Sequence, residues 1–127
     1  DVIDLNSYSI SSYDYGHTND SDDFMKVIAR VQQADTIIFA TPVYWYSMSS
    51  VLKTFFDRLS DLITIHKQIG RSLAGKKVWL IATGTDEALP DGFEVPFRRT
   101  AESFDMTYQG AAYLYTGSDV ILRTASE

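Results

Sequence analysis

Two short stretches hold residues whose types and spacing could do chemistry. Pro42-Val43-Tyr44-Trp45-Tyr46 is apolar and aromatic where a surface loop is ordinarily polar. Gly84-Thr85-Asp86-Glu87 follows a second apolar run that ends at Thr83. Both lie at the carboxyl end of a segment that reads as a buried strand, which is where open α/β sheets place their ligands. Aromatic side chains there would line a shelf for a flat ring, and backbone N–H groups could meet polar atoms on its edge. The competing reading is a loop packed on the core or on a partner subunit.

Other chemistries find no support. His17 and His66 are the only histidines and stand in no metal-ligand spacing with carboxylates. His17 reads as a loop-bracing or surface residue, with a place near the rim of a ligand site as the alternative. His66 reads as the last turn of a helix, where the dipole favours a cation. The serines and threonines lack an adjacent base for nucleophilic catalysis. No carboxylate pair suits a glycosidase or a metal hydrolase. Asp86-Glu87 is either an ordinary acidic turn or a substrate rim. A phospho-acceptor signalling domain would need an aspartate at a strand end, and Thr41 and Thr83 occupy those ends. No catalytic side chain and no metal ligand is assigned.

The elements that must position the two loops follow from hydrophobic periodicity. Ile37-Ile38-Phe39-Ala40 runs apolar without alternation, so Thr36–Thr41 is expected as a central parallel strand covered on both faces, ended by Pro42. Ser49 or Ser50 can cap the helix that follows. Its stripe is Val51, Leu52, Phe55, Phe56, Leu59, Leu62 and Ile63, and it is expected to run to His66 or Ile69, ending before Gly70. Lys53–Asp57 and Arg58–Asp61 read as weak surface pairs on it. Val78–Thr83 is a second apolar strand and Met106–Tyr115 the last, with a helix opened by Pro96 between them. Upstream, Val2–Leu5 reads as a strand and Phe24–Gln33 as a helix capped by Asp20, Ser21 or Asp22. Between them Asn6–Asp23 is a long polar loop, read as a strap pinned by its tyrosines. The order β–loop–α–β–α–β–α–β implies an α/β fold with parallel pairing and right-handed crossovers.

The segment TPVYWYSMSSVLKTFFDR resembles the second flavin-binding loop and following helix of the NADPH-dependent FMN reductase family, which includes NAD(P)H quinone reductases. A weaker likeness extends from Val2 to about Tyr115. The resemblance implies a flavodoxin-like three-layer sandwich with a parallel sheet, formed by a single domain over residues 1–127. It implies FMN as cofactor, NAD(P)H as co-substrate, and quinones, flavins or similar small-molecule electron acceptors. Pro42, Val43, Tyr44, Trp45 and Tyr46 would carry the isoalloxazine. Thr83, Gly84 and Thr85 would meet it from the next loop, with Gly84 allowing close backbone approach. Asp57 and Arg58 of the FFDR motif would brace helix to loop.

Mapped on strand order 2-1-3-4-5, Val2–Leu5 corresponds to the second strand. The first strand, its phosphate loop and the first helix would lie before Asp1, and the last helix is expected to be absent or stunted. No GxGxxG and no P-loop is present. Without the first and last helices one sheet face would be bare and apolar. The expectation is association through that face as a homodimer or higher homo-oligomer, or a second strand that moves to pair with the third. The alternative function is a non-catalytic flavodoxin-like domain with weak or no flavin binding, acting through such contacts.

The totals bound the rest. A chain of 127 residues, 45% hydrophobic, is one domain with enough apolar residues for a core. The net charge of −6 argues against nonspecific nucleic-acid or anionic-membrane binding. No run reaches transmembrane length. The absence of cysteine excludes disulfides and thiolate metal sites and fits a cytoplasmic protein.

Overall fold

In a computed structural model of the protein, residues 1–116 and 120–124 are described. Helix α1 (Phe24–Gln33) has the expected bounds. The N-cap position falls to Asp23, which makes no side-chain cap bond, in place of the expected Asp20, Ser21 or Asp22; the Asp22 carboxylate, one residue earlier, accepts from the Phe24 N–H at 3.0 Å. Strand β1 (Thr36–Pro42), helix α2 (Ser50–Arg58), helix α3 (Lys67–Arg71), strand β2 (Lys77–Gly84), helix α4 (Val95–Ser103), strand β3 (Thr107–Tyr115) and strand β4 (Val120–Thr124) follow.

The sheet order is β1-β2-β3-β4, with the first three strands parallel and β4 antiparallel to β3. Thr36 lies beside Lys77 and Pro42 beside Thr83, so the two loops leave the sheet side by side. Both crossovers, through α2–α3 and through α4, step in the same direction. Right-handedness then places them on one face. Strand burial alternates to match. Thr41 in β1, Val78, Leu80 and Ala82 in β2, and Tyr108, Ala111 and Tyr113 in β3 are buried. They meet Phe24, Ile28, Leu52, Phe55, Phe97 and Ala101 from the helices in one core.

Among the described residues no helix covers the opposite face. Ile38 is 56% exposed, and Ile81 and Leu114 show beside it. The expected central strand covered on both faces is therefore an edge strand covered on one. A run of apolar residues did not distinguish these cases, because it specifies no partner on either side. The bare face itself matches the expectation.

Three segments depart from the sequence reading. Val2–Leu5 is not a strand, and Leu5–Ser7 is a 3-10 turn capped by Asp4. A strand needs a neighbour for its ladder, and among the described residues no strand lies alongside this segment or pairs with the outer edge of β1. The long helix after the aromatic loop is interrupted: a 3-10 segment, Leu59–Ile63, follows α2, and α3 starts afresh after His66. His66 thus precedes a helix instead of ending one. Gly70 sits inside α3, because a Cβ there would collide with the Leu62 carbonyl oxygen. After β3 the chain returns as β4, where the sequence reading assigned no element and expected the last helix to be absent or stunted; residues 117–119 and 125–127 of that tail lie outside the described residues.

The polar strap is held by charge more than by tyrosines. Arg58 is fully buried, so the Arg58–Asp61 pair is no surface pair, while Lys53–Asp57 is. The Arg58 guanidinium donates to Asp61 at 3.0 Å, to Asp22 at 2.6 and 3.2 Å and to the Ser11 carbonyl at 3.0 Å. Its carbon lies 4.8 Å from the centre of the Phe24 ring. His17 shares a hydrogen bond with Asp61 at 3.1 Å, and His66 with Asp20 at 2.8 Å. Both histidines therefore brace the strap. Of the tyrosines, Tyr8 accepts a bond from Arg30, while Tyr15 is exposed and stacks edge-on with Tyr13.

Candidate functional site: the shelf at the ends of β1 and β2

The first loop is anchored at both ends and strained in the middle. The buried Thr41 hydroxyl donates to the Pro42 carbonyl at 2.8 Å and accepts the Ser49 N–H at 3.0 Å, which closes the loop onto the start of α2. The Ser49 hydroxyl in turn caps Leu52 N–H. Met48 is buried and fixes the returning limb. Val43 N–H donates to Thr83 carbonyl at 2.8 Å and ties the loop to β2.

Between these anchors Tyr44 and Ser47 exchange two backbone hydrogen bonds, at 2.9 and 3.0 Å. The residues at the tip, Trp45 and Tyr46, have φ of 48° and 67°. A two-residue turn with both central residues left-handed normally takes Asn-Gly. For residues with a Cβ the conformation costs about 1–2 kcal/mol each. No core packing compensates, because Tyr44, Trp45 and Tyr46 are 62%, 91% and 67% exposed. The turn also leaves the Trp45 and Tyr46 N–H groups without an acceptor among the described residues. Strained backbone, solvent-facing aromatics and free donors occur together, which is the combination expected of a surface shaped for a ligand.

The second loop lies against the first. A Cβ built on Gly84 would fall 3.3 Å from the Val43 Cβ and 2.6 Å from the Tyr113 hydroxyl. The glycine thus fills a gap that no side chain fits. Thr116 donates to the Gly84 carbonyl through its N–H at 3.0 Å and its hydroxyl at 2.7 Å. Burial, and then the Asp86 charge, raise the Tyr113 pKa, so the phenol stays protonated and donates to the Asp86 carbonyl at 2.6 Å. All eight expected residues, Pro42 to Tyr46 and Thr83 to Thr85, fall in this one region. Two cavities lie away from the shelf, one along Leu5–Ile10 and α2 and one along Thr64–Ile69. Among the described residues no cluster of His, Asp or Glu could hold a metal.

The NADPH-dependent FMN reductase family matches this chain over residues 1–119. The chain belongs to that family. YwqN of Bacillus subtilis strain 168, whose name describes an NAD(P)H-dependent FMN-containing oxidoreductase, is 31% identical over 93 residues, covering 70% of this chain and 51% of YwqN. An FMN-dependent NADH:quinone oxidoreductase of Burkholderia thailandensis is 29% identical over 103 residues, 73% of this chain and 52% of the relative. A solved structure, the Trp repressor binding protein from Bacillus subtilis, superposes with a TM-score of 0.65 at 30% identity, over 72% of this chain and 57% of the other. The chain spans about half the length of the curated relatives it matches.

The residues of the two loops are of the kinds that could hold a flavin ring. The exposed aromatics, the free N–H groups and the side-chain-free gap at Gly84 converge on one shelf. Sequence reasoning missed Thr41, Met48 and Tyr113. Thr41 left a trace, a hydroxyl just before the strand-ending proline. Tyr113 left none, because it is 27 residues from the carbonyl it holds.

Proposed function

We propose that this chain supplies the ring-binding part of an FMN-dependent NAD(P)H oxidoreductase that passes electrons to quinones, flavins or similar acceptors. The observation that carries the reading is the left-handed Trp45-Tyr46 turn beside Gly84, a strained and exposed arrangement that packing leaves unexplained. Family membership and the relatives' names support it. FMN bound at the shelf would supply hydride-transfer chemistry. The chain's own residues would hold it. Trp45, Tyr46 and Thr85 N–H groups would meet polar atoms of the ring, Pro42, Val43 and the aromatics would cover apolar surface, and Thr41 would keep the loop closed.

The same reading includes a cytoplasmic location, which the absence of cysteine supports. No helix among the described residues is long and apolar enough to cross a membrane. It also includes a homo-oligomer, supported by the uncovered apolar sheet face and the unpaired outer edge of β1. That second observation equally favours a non-catalytic domain acting through contacts.

Titration of the purified protein with FMN separates the two readings. The expected result is quenching of flavin and tryptophan fluorescence, a bound yellow chromophore, and NAD(P)H oxidation with a quinone acceptor. A protein that stays colourless and takes up no added FMN is instead the contact domain. Sedimentation of the same sample is expected to show more than one chain per particle; a monomer would reject the oligomer.

A further inference from the structure

We propose that Tyr113 is a positioning residue: its hydroxyl locks the 84–87 loop so that the Thr85 N–H faces the aromatic turn, a role that rests on the flavin reading above. The backbone shows the lock at two consecutive points. The Gly84 carbonyl points towards β3, held by Thr116. The peptide bonds of the described residues are trans, so the Thr85 N–H points the opposite way, towards β1 and its loop. That N–H has no acceptor among the described residues. Two residues on, the Asp86 carbonyl is turned inward onto the Tyr113 hydroxyl at 2.6 Å. Thr116 thus fixes the Gly84–Thr85 peptide and Tyr113 the Asp86–Glu87 peptide, with a single peptide between them. The hydroxyl has a second effect, because it occupies the space that a Cβ on residue 84 would need. Tyr113 thus both requires the glycine and directs the peptides that follow it. A buried tyrosine on a core strand needs no such aim to fill volume; phenylalanine would pack as well.

Three readouts on Tyr113→Phe, Gly84→Ala and the double variant test this. With Tyr113→Phe, thermal stability should change little, while amide exchange at Thr85–Glu87 speeds up without flavin and FMN affinity falls about tenfold. Gly84→Ala should destabilise the wild-type background more than the Tyr113→Phe one, because the 2.6 Å collision with the hydroxyl is then gone while the 3.3 Å approaches to the ring and to the Val43 Cβ remain. That non-additivity marks direct coupling. Tyr113→Phe with unchanged exchange and FMN affinity, or Gly84→Ala equally harmful in both backgrounds, would overturn the proposal. If the wild type binds no FMN, the flavin reading fails alone, and exchange and coupling still decide whether the lock exists.

Discussion

Arg58→Met should remove about 3–5 kcal/mol of folding stability, measured by urea unfolding. Few domains exceed 5–15 kcal/mol in total, so the variant is expected near the edge of folding. The reason is the environment the guanidinium leaves behind. Asp61 is buried, Asp22 nearly so, and both depend on Arg58 for compensation. Methionine fills much of the volume, so the loss reflects unpaired carboxylates more than a cavity. Adding Asp22→Asn and Asp61→Asn should recover part of it, since no buried charge then remains. Lysine at 58 should rescue poorly, because one ammonium cannot bridge both carboxylates and the Ser11 carbonyl with a fork. A loss below about 1 kcal/mol for Arg58→Met would reject the network as the anchor of the strap.

The same network sets the acid limit. Burial raises the Asp22 pKa, but Arg58 and the Ser11 and Phe24 bonds outweigh it and hold the carboxyl at about 2. Asp14, bonded by the Thr18 hydroxyl and the Gly16 and Thr18 N–H groups, also lies at about 2. A folded pKa below the unfolded value of about 4 stabilises above that pH, and the contribution is lost as pH falls towards 2. Strap residues 9–23 should therefore loosen first on acidification, and Arg58→Met should flatten that pH dependence.

Local signals carried far into this fold, and the failures share a cause. Helix α1 and the core of β1 were readable because their periodicity is set by residues within them. The aromatic loop was readable because its composition contradicts a surface role. Val2–Leu5 failed because a strand is made by its neighbour. The break after Arg58 failed because the apolar stripe continues through it; the tight turn at Leu59–Ile63 is set by contacts with Gly70 and with the strap. Arg58 itself looked like an i, i+3 surface pair, and only the return of Asp22, 36 residues earlier, buries it. Tertiary partners decided each of these, and spacing along the chain does not encode them.

Replacing Trp45-Tyr46 by Asn-Gly should stabilise the apo-protein while abolishing flavin uptake. Two left-handed residues bearing Cβ atoms cost about 1–2 kcal/mol each. Asn-Gly adopts that turn freely, although glycine returns about 0.5–1 kcal/mol as unfolded-state entropy. The expected net gain is about 1–3 kcal/mol in urea unfolding, and little burial is lost, because both aromatics are mostly exposed. The flanking hydrogen bonds of Tyr44 and Ser47 stay in place, so the free N–H groups persist and only the rings are removed. Trp45→Ala separates the two effects: it keeps a strained Cβ, should leave stability nearly unchanged, and should still weaken FMN. If the Asn-Gly variant gains no stability, the turn is not strained. If it binds FMN as tightly as the wild type, the rings are not the shelf. A gain in stability coupled to a loss of flavin would mean that selection has held an unfavourable backbone in place for the sake of what the rings contact.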